Sequence, residues 1–322
     1  MRKFAAAAVV VVCVAATTPA QTLQTLGAIR GKAEVLFTAV SPDGKHLAGA
    51  CSDGNLRIWT LPSGEVAHTL DAGGARSTAL AYSRNGRRFA AGSTAGTVRV
   101  FDADSGAVVQ EFPAGSLPIA ALALSPEGNL LAVGARDLPT ELWNVAEHKQ
   151  LASLKTPFGG SIALAFSPDS KYLASADGDT AVRIYDAATG KLHSSFDGLF
   201  LESFGVDFTL DSKMLLIGGA DKQVVVLDPA TGRELRRLAK QPDPIGALAV
   251  LGDGRTVIIA FFSANSASEA RPTVAWNMET GQLKKLTSET LFNGGGVVAD
   301  GRLILTSSEG DTLNLWAVRW DD

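Results

Sequence analysis

Histidines, cysteines and carboxylates are the side chains that could bind metals, move protons or activate a nucleophile. The chain carries 4 His, 2 Cys and 33 Asp plus Glu in 322 residues. A metal centre or a nucleophilic triad needs its members within ligand or hydrogen-bond distance of one another. His46, His68, His148 and His193 are scattered, and by their place in the repeat described below they fall in turns or outer strands. No phosphate-cradling Gly loop is present, and no Gly-x-Gly-x-x-Gly motif opens a helix. The many Asp-Gly pairs sit where turns demand them, so they do not read as calcium loops. The residue types therefore predict no metal, no cofactor and no enzymatic activity.

One carboxylate stands apart, and the elements that position it show why. Ser41-Pro42-Asp43-Gly44 recurs as Ser83-Arg84-Asn85-Gly86, Ser125-Pro126-Glu127-Gly128 and Ser167-Pro168-Asp169-Ser170. Weaker copies follow at Thr209-Leu210-Asp211-Ser212 and Leu251-Gly252-Asp253-Gly254, so the acidic or Asn position advances by 42 residues each time from 43 to 253. A seventh copy, Ala299-Asp300-Gly301, comes 47 residues later. An aromatic-ended strand travels with the turn: Leu56-Arg57-Ile58-Trp59, Val98-Arg99-Val100-Phe101, Val182-Arg183-Ile184-Tyr185, with Trp143, Leu227, Trp276 and Trp316 in the other copies. Gly64, Gly106, Gly190, Gly232 and Gly281 lie five residues past that position, and His148 takes the place in the third copy.

Alternation of apolar and polar residues between Pro, Asp, Asn and Gly turns is the signature of short strands and hairpins. Each unit reads as four strands, and four strands in about 42 residues make one blade of a β-propeller. The expectation is an all-β, seven-bladed propeller of four-stranded blades. Too few residues follow Trp316 for a fourth strand, whereas Leu23–Ile29 is a spare strand ahead of the first unit. Residues 21–31 are thus predicted to complete the last blade and close the ring, which removes an exposed edge.

Within the innermost strands, positions two before each turn are Ala39, Ala81, Ala123, Ala165, Asp207, Ala249 and Gly296. Small residues suit strands crowded around an axis. Asp207 is the single carboxylate of that ring: either a channel residue with a function or a hydrogen-bonded structural carboxylate. Two loops offer partner surfaces, because loops on a rigid scaffold commonly carry function. Phe158, in one loop, and Leu199, Phe200 and Leu201, in a neighbouring one, form an apolar patch if exposed, or fill internal space if turned inwards. The step from Leu227 to Trp276 exceeds the period by seven, which places an insertion within Phe262–Pro272. Asn265, Glu269 and Arg271 would present it to a partner, unless it is neutral decoration.

The turn, the strand ends Phe101-Asp102, Tyr185-Asp186 and Leu227-Asp228, and the following Thr-Gly resemble the WD-repeat (Trp-Asp repeat) family over nearly all of residues 21–322. The resemblance implies a binding scaffold for a protein or peptide. The family's Gly-His pair is missing from every unit, and its structural Asp is kept at Asp53, Asp137, Asp179 and Asp221 only. The buried Asp–His–Ser–Trp network of the family is therefore not expected. Lactonase-like or quinoprotein-like propellers share the same rhythm and imply a central-channel enzyme or cofactor protein instead; a structural part of an envelope assembly is the third reading.

Arg2 and Lys3, the apolar run Phe4–Ala16 and the small residues Thr17-Thr18-Pro19-Ala20 have the three-part pattern of a secretory signal peptide. The run is short for a bilayer span. Residues 1–20 are expected to be removed, leaving residues 21–322 as a single exported domain in the periplasm, cell envelope or medium, monomeric or within a hetero-complex. Loss of Arg2 and Lys3 takes the formal charge from −4 to −6. With no basic block, nucleic acid is not an expected partner. Cys51 then has no cysteine to pair with and reads as a buried small hydrophobe.

Overall fold

The computed structural model describes residues 20–30, 33–73, 75–156, 159–199, 203–251, 253–261, 273–286, 303–309 and 312–320. Residues 1–19, the bulk of the expected signal peptide, lie outside them. Among the described residues there are strands and turns and no helix. Among these residues no helix is long and apolar enough to cross a membrane.

Six four-stranded sheets follow one another along the chain, at 35–71, 77–113, 119–154, 161–196, 203–237 and 245–285. They are numbered one to six here. In each, strands are ordered as they occur in the sequence and pair antiparallel. The predicted turns close the first hairpin of each unit. Ser41 Oγ donates to Asp43 Oδ1 at 2.6 Å, Ser83 to Asn85 at 2.8 Å, Ser167 to Asp169 at 2.7 Å and Thr209 to Asp211 at 2.6 Å. These side chains compete with the backbone ladder and so stop a strand where they stand. A register shift recurs two residues into every first strand, from Val35/Phe37 to Ile245/Ala247. Its recurrence marks the six sheets as copies of one design.

First strands are almost wholly buried and fourth strands largely exposed. Successive first strands lie against one another, so they form the inside of the stack. Small residues on the second strands allow this approach. A Cβ on Gly92 would lie 2.6 Å from Ile119 of the next sheet, and one on Gly218 would lie 2.6 Å from Ile245. On the outside, the glycines after the third strands of sheets two, four and five rest on the fourth strand of the sheet before. A Cβ at Gly106 would meet Leu70 at 2.8 Å, and one at Gly190 would meet Ala152 at 2.3 Å.

A seventh sheet has three described strands, in the order Ala20–Arg30, Thr312–Trp320, Leu303–Glu309. The two ends of the chain thus pair antiparallel, with Thr25 opposite Trp316 and Ile29 opposite Leu313. A Cβ at Gly64 would lie 3.0 Å from Ile29, the relation that Leu70 has to Gly106. One apolar cluster holds residues of sheet one, such as Val35 and Trp59, together with Ile259 and Trp276 of sheet six.

Candidate functional site

Asp207 lies on the first strand of sheet five (Ser203–Phe208) and is buried, at 8% exposure. Its Oδ1 accepts the N–H of Phe208 at 2.9 Å, and its Oδ2 accepts the N–H of Val250, in sheet six, at 2.9 Å. The carboxylate therefore ties two neighbouring sheets together. Burial pushes its pKa up to about 7, against the pull of the two N–H donors and of the positive charge of Arg84. Arg84 belongs to a turn of sheet two, which is not a sequence neighbour of sheet five.

Other carboxylates of the repeat are held by arginines and hydroxyls. Asp53 is gripped by both terminal nitrogens of Arg57, at 3.1 and 2.5 Å, which holds its pKa down at about 2. The equivalent pair in sheet four is Asp179 and Arg183, with contacts at 3.0 and 2.7 Å. There the arginine also reaches Asp177, 2.5 Å away and 1% exposed. Asp177 Oδ1 accepts from Ser161 at 2.8 Å and from Ser175, and Ser161 bonds in turn to Ser175 and to Thr140 of sheet three. Burial raises the Asp177 pKa despite these donors and the guanidinium. This chain of hydroxyls, carboxylates and one guanidinium is formed without histidine. Sequence reasoning missed it. The legible part was the Arg four residues after Asp at 53/57 and at 179/183; the hydroxyl partners come from separate strands and carry no local signal.

The histidines stay apart. His68 and His193, on fourth strands, each place Nε2 3.0 Å from a turn carbonyl of the following sheet, Asp104 and Ala230 respectively. His148 holds the turn with φ 50° and lies edge-on to Phe112 at 4.9 Å. His46 opens a second strand and is not in a turn. Cys51 is buried at 2%, and burial raises its thiol pKa. Among the described residues no three His, Cys, Asp or Glu side chains are grouped to hold a metal.

Of the loop residues, Leu199 is 7% exposed and packs in a cluster with Val206, Phe208 and Ala163. It fills space between sheets four and five, the inward alternative, because Val206 and Phe208 present apolar surface there that water would otherwise cover. The neighbouring Gly198 carbonyl is capped by Arg237. Phe158, Phe200, Leu201, Asn265, Glu269 and Arg271 lie outside the described residues.

The family model for the WD domain, G-beta repeat, matches residues 21–60, 64–102 and 148–186. These three segments support the WD-repeat family for this chain. Each matched span opens on an outer strand and ends with the third strand of the next sheet. Residues 21–30 thus occupy, in the WD repeat, the place that residues 65–71 and 149–154 occupy in the other two. No curated protein matches the chain.

Proposed function

We propose that this chain is an exported seven-bladed WD-repeat propeller that binds a protein or peptide partner and catalyses nothing. The observation that carries the binding role is the WD repeat itself, set on sheets in which Asp43, His68 and Asp177 are engaged in turns and inter-sheet bonds. What remains variable from unit to unit is the loops. Packed antiparallel sheets hold those loops rigidly, and a rigid loop loses little entropy on binding.

Closure of the ring by residues 21–30 is supported by their pairing with Thr312–Trp320, by the seat of Ile29 on Gly64, and by the register of the WD match. Export is supported by the basic, apolar and small-residue pattern of residues 2–20. Edman sequencing of secreted material should then read from Gln21. Immobilised residues 21–322, incubated with extract of the exported compartment, should retain a partner in stoichiometric amount. A chain lacking residues 263–271 should retain less if the insertion takes part. Retention of nothing by the intact chain, together with turnover of a lactone or of a quinone-linked substrate, would overturn the binding reading.

A further inference from the structure

The first strand of sheet two departs from the repeat in two places, and both departures line one cleft. Its last residue is Tyr82, where the other described sheets have Val40, Leu124, Phe166, Phe208 and Val250. Two residues on, Arg84 takes the position of Pro42, Pro126 and Pro168. The cleft lies between the turns of sheets one and two and has a volume of about 400 Å³. Tyr82 and Arg84 share its wall with Arg87, and Asp43 and His46 approach from sheet one, with Asp104 from the outer turn of sheet two.

Tyr82 is 2% exposed, and its hydroxyl has no hydrogen-bond partner. The ring itself is accounted for, packed 5.5 Å from Phe89. An apolar side chain serves that packing in the other five sheets, so the hydroxyl adds nothing to it. A buried donor without an acceptor costs free energy in the empty protein, and an acceptor arriving in the cleft removes that cost. Asp43 Oδ1 already accepts from Ser41 Oγ at 2.6 Å and from the Lys45 N–H at 3.0 Å. Two guanidinium groups beside a phenol donor suit a planar anionic acceptor. Asp104 at the rim suits an amide N–H next to it.

We propose that this cleft receives the carboxylate side chain of an acidic peptide segment, with Tyr82 donating to one oxygen and Arg84 and Arg87 neutralising the charge. The assignment rests on the binding role above and names the chemistry of the partner.

Blocked pentapeptides with a central Glu, Gln or Lys, labelled with a fluorophore, probe it by polarisation against residues 21–322. The Glu peptide should bind at least tenfold more tightly than the Gln and Lys peptides. Tyr82→Phe, which keeps the ring packing, should weaken the Glu peptide about fivefold and leave the Gln peptide unmoved. Arg84→Pro, which restores the repeat residue, should weaken it tenfold and lower its salt dependence. Equal binding of Glu and Gln peptides, or an unchanged affinity in both variants, overturns the proposal, and so does binding of none of the three. If Tyr82→Phe/Arg84→Pro still retains a protein partner as well as the parent chain, the scaffold reading stands while the cleft falls. If neither chain retains one and no peptide binds, both fall.

Discussion

Asp207 illustrates how a single carboxylate can be structural and still titrate in a useful range. Its two oxygens accept backbone N–H groups from two sheets, yet burial outweighs them and leaves the folded-state pKa at about 7, against an ordinary value of 3.8. A pKa raised on folding means that the folded protein binds more protons than the unfolded chain between those two values. Stability therefore falls as pH rises from about 4 to 7 on account of this group, and is flat above. Asp207→Asn keeps the shape and one acceptor but cannot ionise. Urea melts at pH 5 and pH 8 should show the variant gaining on the parent by about 2 kcal/mol across that interval. A difference between the two proteins that is independent of pH would mean that Asp207 does not carry the raised pKa.

At the scale of the strand and turn, the two Asp–Arg pairs separate what looks alike in sequence. Asp53/Arg57 and Asp179/Arg183 have the same spacing and the same two-nitrogen grip. Asp53 keeps a third of its side chain exposed, so water shares its charge and the pair is worth about 1 kcal/mol or less. Arg183 also holds Asp177, whose side chain is fully covered. Its removal strands a buried carboxylate among hydroxyls that were positioned for the pair. Arg183→Ala should cost about 3–5 kcal/mol, and Arg57→Ala far less, by chemical denaturation monitored through tryptophan fluorescence. Equal losses would show that the Thr140–Ser161–Ser175–Asp177 chain contributes nothing beyond the surface pair.

The same comparison shows what could be read ahead of the structure. Strand ends were legible because Ser-Pro-Asp-Gly and the aromatic position are local signals: a side chain bonds within its own turn, a few residues away. The six four-stranded sheets and their order followed from the 42-residue step. Asp177 and its hydroxyls were not legible, because Thr140 and Ser161 are 21 residues apart and meet only when two sheets stack. Asp207 was picked out as an exception in a ring of Ala, but its partner Val250 is 43 residues away, and the raised pKa depends on burial that no local pattern encodes. Tyr82 could be seen as a departure from the apolar consensus of the repeat; only packing reveals that its hydroxyl lacks an acceptor.

For the whole molecule, the decisive contacts join its two ends. Residues 20–30 cover one edge of Thr312–Trp320, whose other edge is taken by Leu303–Glu309. Without them, the backbone N–H and C=O groups of a nine-residue strand would face solvent as an open edge, a template for pairing with another chain. Ile29, 5% exposed, would also leave its seat on Gly64. In a repeat array each unit draws stability from its neighbours, so loss of one interface is felt around the whole array. Deleting residues 21–31 should lower the melting temperature by about 10 °C or more, given a few °C per kcal/mol for a domain of this size, and should promote association through the freed edge. Should that chain not fold, Ile29→Ala provides the graded version, with a loss of about 2–4 kcal/mol from the vacated apolar seat. An unchanged melting temperature in the truncated chain would mean that residues 20–30 are an appendage and that the array of sheets is held without them.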